Sequence, residues 1–466
     1  MMQKNEIYRG EVLAYGTEGE GILNVEGTTA FVPFCLKEEH ITFKALKVKG
    51  NIAYGKLEDV LIPSEQRVQA PCPVFSKCGG CELQHASYEE QLNFKRGLVE
   101  TALQKLGGIY AAVNAVIPCD KQFRYRNKLA LPIGVDSEGN TVLGFYARHS
   151  HRIIPIDDCL IQSEWVKNII SAVKKYAYVC GFKGYDEFSR KGELRHIVVR
   201  EVKGKFIIAL VATCKIDVGF LIKELEKSFD KFTLLLNVNA SQTNVIFSNE
   251  WHICRGEGFF EAEDCGIKYR AGAETFLQVN DGMREQLYSA VLAEAAEDNT
   301  VAIDLYSGGG MLTAMLAKAC GLAYGVEIVE EASRCADELC KNNGLQGRMF
   351  NICGTVEDRL NEVFAATEGQ KRIIVCDPPR KGMERSVVKK IAQSGADKII
   401  LISCNPATLA RDLGILSGTL TEDENGALVK TAQPISSNYE IKFITPFDMF
   451  PQTKHIETAV CLKRKH

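Results

Sequence analysis

The sequence predicts an α/β protein in three parts: a small β-barrel over residues 1–62, an α+β segment over 63–265, and a Rossmann-like doubly wound sheet over 266–466. Three observations predict it. Beyond Arg270, apolar strands alternate with amphipathic helices (VAIDLY, MLTAMLAKACG, AYGVEI, EASRCADELCKNNG, RIIVCDPP, KIILISCNP), the pattern of a parallel sheet wound by helices. From Ile7 to about Leu61, short alternating strands are punctuated by glycine turns, as in a small barrel. Between these lie a cysteine-rich turn from Pro71, a helical stretch around Tyr88 to Leu106, and strands such as LRHIVVREV and KFIIALVAT.

A chain of 466 residues exceeds one ordinary core, since domains run to about 100–200 residues. A hydrophobic fraction of 46% with 25% charged residues is that of a soluble globular protein, and no apolar run approaches the ~20 residues of a membrane span. The opening MMQKNEIYRG has no apolar stretch followed by a small-residue cleavage site, so a cytoplasmic location is expected. Seventeen cysteines, an odd number scattered over a long chain, argue for reduced thiols with a few specialised ones. A net charge of −3 lacks the basic excess of a nucleic-acid binder, so any such contact must be a local patch.

VAIDLYSGGG followed by a helix is a strand, a glycine-rich turn and a helix N-terminus, and Glu327 ends the next strand twenty residues after Ser307. That spacing suits a carboxylate on ribose hydroxyls. A helix-packing turn of an unrelated α/β domain reads the same way. Asp377-Pro378-Pro379, closing a later apolar strand, tips the balance: such a tip is similar to that of methyltransferases acting on nucleobases, and paired prolines fix a rigid strand exit. Enzymes acting on exocyclic amino groups place an aromatic ring next, whereas this chain has Arg380. Carbon-5 of uracil is a different problem, too poor a nucleophile until a group adds at carbon-6. A thiolate suits that addition.

IILISCNPATLARDL places Cys404 after an apolar strand and before Asn405-Pro406 and a helix, at the carboxyl edge of the sheet. The helix N-terminus is expected to lower its pKa. A buried structural cysteine is the plainer alternative. The carbon-5 proton must later be removed by a base, for which Glu457 in DMFPQTKHIETAVCL is the candidate and His455 the local competitor.

Together these residues resemble the RNA 5-methyluridine methyltransferase family, and more closely its bacterial 23S ribosomal RNA branch, over essentially the whole chain. The resemblance is carried by Cys72-x5-Cys78-Gly-Gly-Cys81, FRYRNK at Phe123 to Lys128, GFYARHSHRI from Gly144, FLQVN at Phe276 to Asn280, DLYSGGG, DPPRKG, SCNP and FPQTKHIE. It implies S-adenosylmethionine surrounded by Gln278, Tyr306, Glu327 and Asp377, with Cys404 as nucleophile and Glu457 as proton acceptor. Two departures stand out: Ser307-Gly308-Gly309-Gly310-Met311 replaces the family's Cys-Gly-Ile-Gly-Thr-like turn, and Thr355 occupies a commonly acidic adenine-side position.

Cys72, Cys78 and Cys81 share one turn, and four-coordinate iron and zinc sites need a fourth ligand. Cys159 is the best choice; the resemblance points there too and implies a 4Fe-4S cluster, with zinc as the alternative metal. Such a cluster would pin a loop carrying Arg124, Arg126, Lys128, Arg148 and Arg152, a phosphate-positioning patch or an ordinary solvated face. The first sixty residues resemble a TRAM domain, an OB-like barrel in which Lys44, Lys47 and Lys49 with Phe43 and Phe34 could hold single-stranded RNA. A folding or assembly module would look the same.

The expected substrate is 23S ribosomal RNA, because transfer-RNA members of the family resemble a shorter chain without the TRAM domain or the cluster. Transfer RNA is the alternative, as is a non-catalytic RNA-binding or ribosome-assembly protein. A cytosine enzyme would resemble a Pro-Cys or Thr-Cys pair, absent at Cys404. A monomer is expected.

Overall fold

A two-residue side-chain period over the first sixty residues builds six strands: β1 (Ile7–Glu11), β2 (Ala14–Tyr15), β3 (Gly21–Val25), β4 (Thr28–Val32), β5 (His40–Lys49) and β6 (Ile52–Ile62). In this computed structural model, which describes residues 2–297, 299–431 and 437–465, they form one sheet in the order β1-β5-β6-β4-β3-β2. Its inward face supplies a core of Leu23, Val32, Ile41, Phe43 and Ala53. The sheet curls enough for Gly10 of β1 to lie against Leu23 and Val25 of β3. It does not close: β1 and β2 remain its edges, and β2, two residues long, pairs with β3 alone. The expected barrel is therefore observed as a curled open sheet.

After α1 (Tyr88–Ala102), a π-helical turn at Leu103–Gly107 ends on Gly108 in the left-handed region, the conformation that stops a helix with least strain. A second sheet follows, from β7 (Lys128–Val135), β8 (Thr141–Tyr146), β9 (Ile153–Pro155), β10 (Leu194–Val202), β11 (Lys205–Ala212), β12 (Phe232–Val238) and β13 (Trp251–Arg255), ordered β13-β12-β11-β10-β7-β8-β9. Helices α2 (Val166–Cys180) and α3 (Gly219–Leu225) share its core: Ile169, Val173 and Tyr176 pack with Val199, Ile208 and Leu234. By packing, the chain divides into two compact units. One takes Met1–Phe94, Lys121–Gly258 and Phe450–Lys454 and holds both these sheets, each on its own core. The other takes Lys95–Asp120, Phe259–Met449 and His455–His466.

After Lys95–Asp120 the second unit resumes with a hairpin, β14 (Phe259–Asp264) and β15 (Ile267–Gly272), and α4 (Asp281–Ala295). Its main sheet uses β16 (Thr300–Leu305), β17 (Gly321–Glu327), β18 (Met349–Cys353), β19 (Lys371–Cys376) and β20 (Lys398–Ser403), all parallel. After a short hairpin, β21 (Leu420–Glu422) and β22 (Leu428–Lys430), it is completed by antiparallel β23 (Tyr439–Phe447) and β24 (Glu457–Arg464). The order is β18-β17-β16-β19-β20-β24-β23. β16 is buried along its whole length and β20 nearly so, as strands covered on both faces must be. Helices α5 (Met311–Cys320) and α6 (Glu330–Asn342) pack in a group with α4, while α7 (Val356–Ala366), α8 (Arg385–Gln393) and α9 (Pro406–Ser417) make another. This is the arrangement a doubly wound sheet needs. No described helix is long and apolar enough to cross a membrane.

Within this unit Lys95 of α1 and Asp448, just past β23, form an ion pair in which neither side chain reaches solvent. Removing one member of a buried pair strands the other's charge. Lys95→Ala is expected to cost about 3–5 kcal/mol, read as a lower urea midpoint, with Lys95→Met plus Asp448→Leu recovering most of the loss. Equal losses in both proteins would show that packing, and not stranded charge, sets the cost.

Candidate active site

Five of the six catalytic and cofactor-site residues singled out from the sequence lie at one edge of the sheet in the second unit, four at the carboxyl ends of parallel strands and Glu457 at the start of antiparallel β24. They flank the switch between β16 and β19, where strand order reverses and where this architecture binds ligands. Tyr306 follows β16, Glu327 ends β17, Asp377 follows β19, Cys404 follows β20 and Glu457 opens β24. Gln278 stands off the sheet, buried two residues before Asn280, the N-cap of α4.

The turn after β16 is fixed by its glycines and by Glu327. Tyr306 is itself in the left-handed region, as are Gly308 and Gly310. A side chain at Gly310 would meet Ala336 and Met349, so α5 and α6 can approach only over glycine. The Tyr306 and Ser307 amides donate to the Val326 carbonyl at 2.9 and 3.0 Å. The Gly308 and Val329 amides donate to the two Glu327 carboxylate oxygens, each at 2.8 Å. Each oxygen keeps acceptor capacity for a ribose hydroxyl. The Tyr306 hydroxyl is buried with no hydrogen-bond partner, a donor and acceptor awaiting a ligand. These features fit S-adenosylmethionine. Burial pushes the Asp377 carboxyl up to about 7. Behind it Asp304, bonded by the Thr313 hydroxyl at 2.6 Å, is likewise pushed up to about 7, by burial and then by the charges of Asp377 and Glu327.

Cys404 and Glu457 are neighbours by register. β24 runs antiparallel to β20 with Ser403 opposite Thr458, so the next positions outward are Cys404 and Glu457. Asn405 then caps α9, its side-chain oxygen accepting from the Ala407 amide at 3.0 Å while its amide group donates to the Arg380 carbonyl at 3.0 Å. That bridge ties the Asp377-Pro-Pro-Arg turn to the turn that carries Cys404. Glu457, which spacing alone would leave on the surface, is buried. Burial, then Asp377, holds its carboxyl well above the ordinary carboxylate range against the pull of Arg380.

The expected low pKa of Cys404 is not what the structure shows. Burial first, then Glu457, pushes the thiol up to about 11, with Arg380 acting the other way. A helix end is a partial charge, whereas Glu457 is a whole one. Arg380 thus matters more than its place in the sequence suggested.

In the first unit Cys72, Cys78, Cys81 and Cys159 line a single cavity of about 260 Å³. Their grouping fits the donor chemistry of a metal centre, although among the described residues no three His, Cys, Asp or Glu side chains stand close enough to hold one ion. Burial raises the thiols of Cys78, Cys81 and Cys159, the last to about 11, so metal uptake there would release protons. The basic patch is not a uniform phosphate cradle. Arg124 is held by Asp158 in two bonds of 2.8 and 2.7 Å, Arg126 and Lys128 line the cysteine cavity, and Arg148 lies over Phe34. Arg152 is the exposed member. Phe43, expected on an RNA-facing surface, is instead fully buried in the core of the N-terminal sheet, while Lys47 and Lys49 are exposed.

Fold and strand-tip residues together define an S-adenosylmethionine-dependent RNA methyltransferase. The chain belongs to the tRNA (uracil-5-)-methyltransferase family, whose profile matches residues 87–465. It is 36% identical to an uncharacterized RNA methyltransferase of Halalkalibacterium halodurans, covering 100% of this chain and 98% of that protein. A Clostridium tetani RNA methyltransferase, also uncharacterized, is 36% identical, with 99% and 97% covered. In fold the chain is similar to the Pyrococcus abyssi tRNA (uracil-54, C5)-methyltransferase solved with S-adenosyl-L-homocysteine (TM-score 0.75, 23% identity), over 97% of this chain and 99% of that one.

The charges around Cys404 give a test with a definite sign. Glu457→Gln removes a group that raises the thiol's pKa, so the pH midpoint for alkylation of the Cys404 peptide by iodoacetamide, followed by mass spectrometry, should fall below that of the wild type. Arg380→Ala should raise it. Unmoved midpoints would show that desolvation alone sets the thiol.

Proposed function

We propose that this RNA methyltransferase modifies carbon-5 of a uridine in 23S ribosomal RNA through a covalent bond from Cys404 to carbon-6, with Glu457 accepting the carbon-5 proton. The observation that carries the proposal is the ladder pair Ser403–Thr458, which sets the nucleophile and a buried carboxyl at adjacent strand ends. When bound, S-adenosylmethionine supplies an electrophilic methyl group, and Gln278, Tyr306, Glu327 and Asp377 are the residues proposed to hold it.

The chain's own part is addition and release. The Cys404 sulfur bonds to carbon-6 as its proton departs, and the positive charge of Arg380 favours the thiolate from which attack begins. The target base must leave its stack to reach such a recess. Once carbon-5 carries the methyl group, Glu457 takes the proton from that carbon and the electron pair of the C–H bond expels the thiolate. A carboxylate whose pKa is raised is the better acceptor near neutral pH.

A transfer-RNA uridine is the second reading. The expectation that transfer-RNA enzymes are shorter does not hold against the Pyrococcus abyssi enzyme, which acts on uracil-54 of tRNA and matches this fold over nearly its full length. Chain length therefore does not discriminate, and 23S RNA rests on the branch-specific motifs. We further propose a TRAM role for residues 1–62, a central domain over 63–265, a catalytic domain over 266–466, and action as a monomer. The same motifs support a 4Fe-4S cluster on Cys72, Cys78, Cys81 and Cys159. The observation beside the resemblance is that the four cysteines line one cavity.

RNA containing 5-fluorouridine should form a stable cross-link through Cys404 that Cys404→Ala abolishes, since fluorine at carbon-5 blocks the proton step. Glu457→Gln should slow release of methylated product by about 10²–10⁴-fold. In a deletion strain, mass-spectrometric mapping should find one or more 5-methyluridines missing from 23S RNA. Loss from transfer RNA instead would replace the proposed substrate, and a cross-link at another cysteine would end the mechanism.

Protein purified without oxygen should contain iron and acid-labile sulfide that Cys159→Ser depletes. Zinc in their place would overturn the cluster.

A further inference from the structure

Beside the N-terminal sheet, in the first unit, lies a second cavity of about 460 Å³, lined by Phe34, Leu57, Arg67, Phe75 and His85 among others. Three of these are rings in mutual contact. Phe34 and Phe75 meet edge to face with centroids 5.2 Å apart, Phe75 and His85 are tilted by 33° at 5.6 Å, and Phe34 and His85 lie 6.2 Å apart.

Two features separate this cluster from ordinary packing. His85 is only 3% exposed, and apart from the Cys35 backbone no hydrogen-bond partner approaches its ring nitrogens. Buried polar atoms are seldom left so in a finished core. Burial and the neighbouring Arg67 hold this ring neutral, down to about 4, against Glu39 and the Cys35 backbone. A neutral imidazole offers one donor and one acceptor. In addition Phe34 and Ser76 both sit in the left-handed region, where an aromatic residue is out of place. The strained Phe34 is held there by a built device: Arg67 donates to the Phe34 carbonyl at 2.9 Å while paired with the fully buried Glu39, which also accepts from the Leu36 amide at 2.7 Å. Arg148 stands 5.6 Å from the centre of the Phe34 ring, a positive charge beside one of the cavity's rings.

We infer that this cavity is a nucleobase subsite, in which an unpaired base of the RNA substrate stacks on Phe34 and Phe75 and hydrogen-bonds the ring nitrogens of His85. Aromatic faces take any base, an imidazole edge matches the mixed donors and acceptors of a base edge, and Arg148 serves the adjoining phosphate. The site shares the Phe75 ring with the cysteine cavity but not its thiols, it is separate from the strand-tip residues, and it would anchor RNA that flanks the target. It rests on the RNA-substrate reading but not on the chemistry at Cys404.

The test uses the full-length protein with fluorescent oligouridylate and a ribose-phosphate oligomer of equal length carrying one abasic position, moved along the strand. In the wild type, one abasic position outside the target is expected to weaken binding about tenfold, the effect of one stacked base. In Phe34→Asn, whose residue type tolerates the left-handed backbone, that loss should disappear, and in His85→Phe, which keeps the packing and the stacking rings but not the imidazole nitrogens, it should shrink. Cross-linking of 4-thiouridine RNA to the peptide containing Phe75 or His85 would support the assignment. Equal base dependence in all three proteins, or cross-links confined elsewhere in the first unit, would overturn it. Failure of the 5-fluorouridine bond to Cys404 would defeat the catalytic proposal while leaving this comparison to stand.

Discussion

The chemistry proposed here depends on one antiparallel ladder added to a parallel sheet. Five parallel strands can deliver side chains to one edge only from their carboxyl ends, and β24 reverses that rule by entering the edge at its first residue. With Ser403 opposite Thr458, the residue leaving β20 and the residue entering β24 face one another across a single strand spacing. Side-chain direction alternates along a strand, so a slip of one position would turn Glu457 to the opposite face and leave Cys404 without its neighbour. β23 guards against the slip from the other side, pairing Phe447 with Glu457 itself.

The same edge gathers charges that water would otherwise keep apart. Asp304, Asp377 and Glu457 all have carboxyls raised by burial, and Asp377 acts on both of the others. Arg380, whose charge acts on both Glu457 and Cys404, is placed by its own carbonyl, which Asn405 holds. Tyr306 adds a strained backbone and an unsatisfied hydroxyl. Burial, like charges and strain are tolerated together where a ligand relieves them, and structural cores avoid all three.

Much of this unit was legible in the sequence because both faces of its strands are covered. Continuous apolar runs such as those of β16 and β20 leave little choice of structure, and the Cys-Asn-Pro after β20 marks strand end, cap and first helical turn in three residues. Glu457 was legible by resemblance only: a lone carboxylate in a polar stretch reads as surface, and its burial comes from a strand partner about fifty residues away in the chain. The raised thiol of Cys404 has the same cause. Phe43 could have been read correctly, since Ile41 and Ala45 share its face of β5 and all three are buried. Closure of the N-terminal sheet was not readable, because it hangs on the length of β2, and local propensity does not fix strand length.

The departures from the family pattern show how local structure can be kept while charge is changed. Thr355 stands where an acid is common, yet it caps α7 as an acid would, accepting from the Asp358 amide at 3.2 Å and donating to its carboxylate at 2.7 Å. Asp358 thereby brings a negative charge to the helix start from within the helix, where it also suits the dipole. In the glycine turn, Ser307 replaces a residue whose side chain would face Gly325 and Thr313, and the small hydroxyl fits beside a glycine that offers no Cβ. The Gly308 and Val329 amides hold the Glu327 carboxylate whichever residue stands at 355, and the Thr355 hydroxyl is already engaged with its own helix.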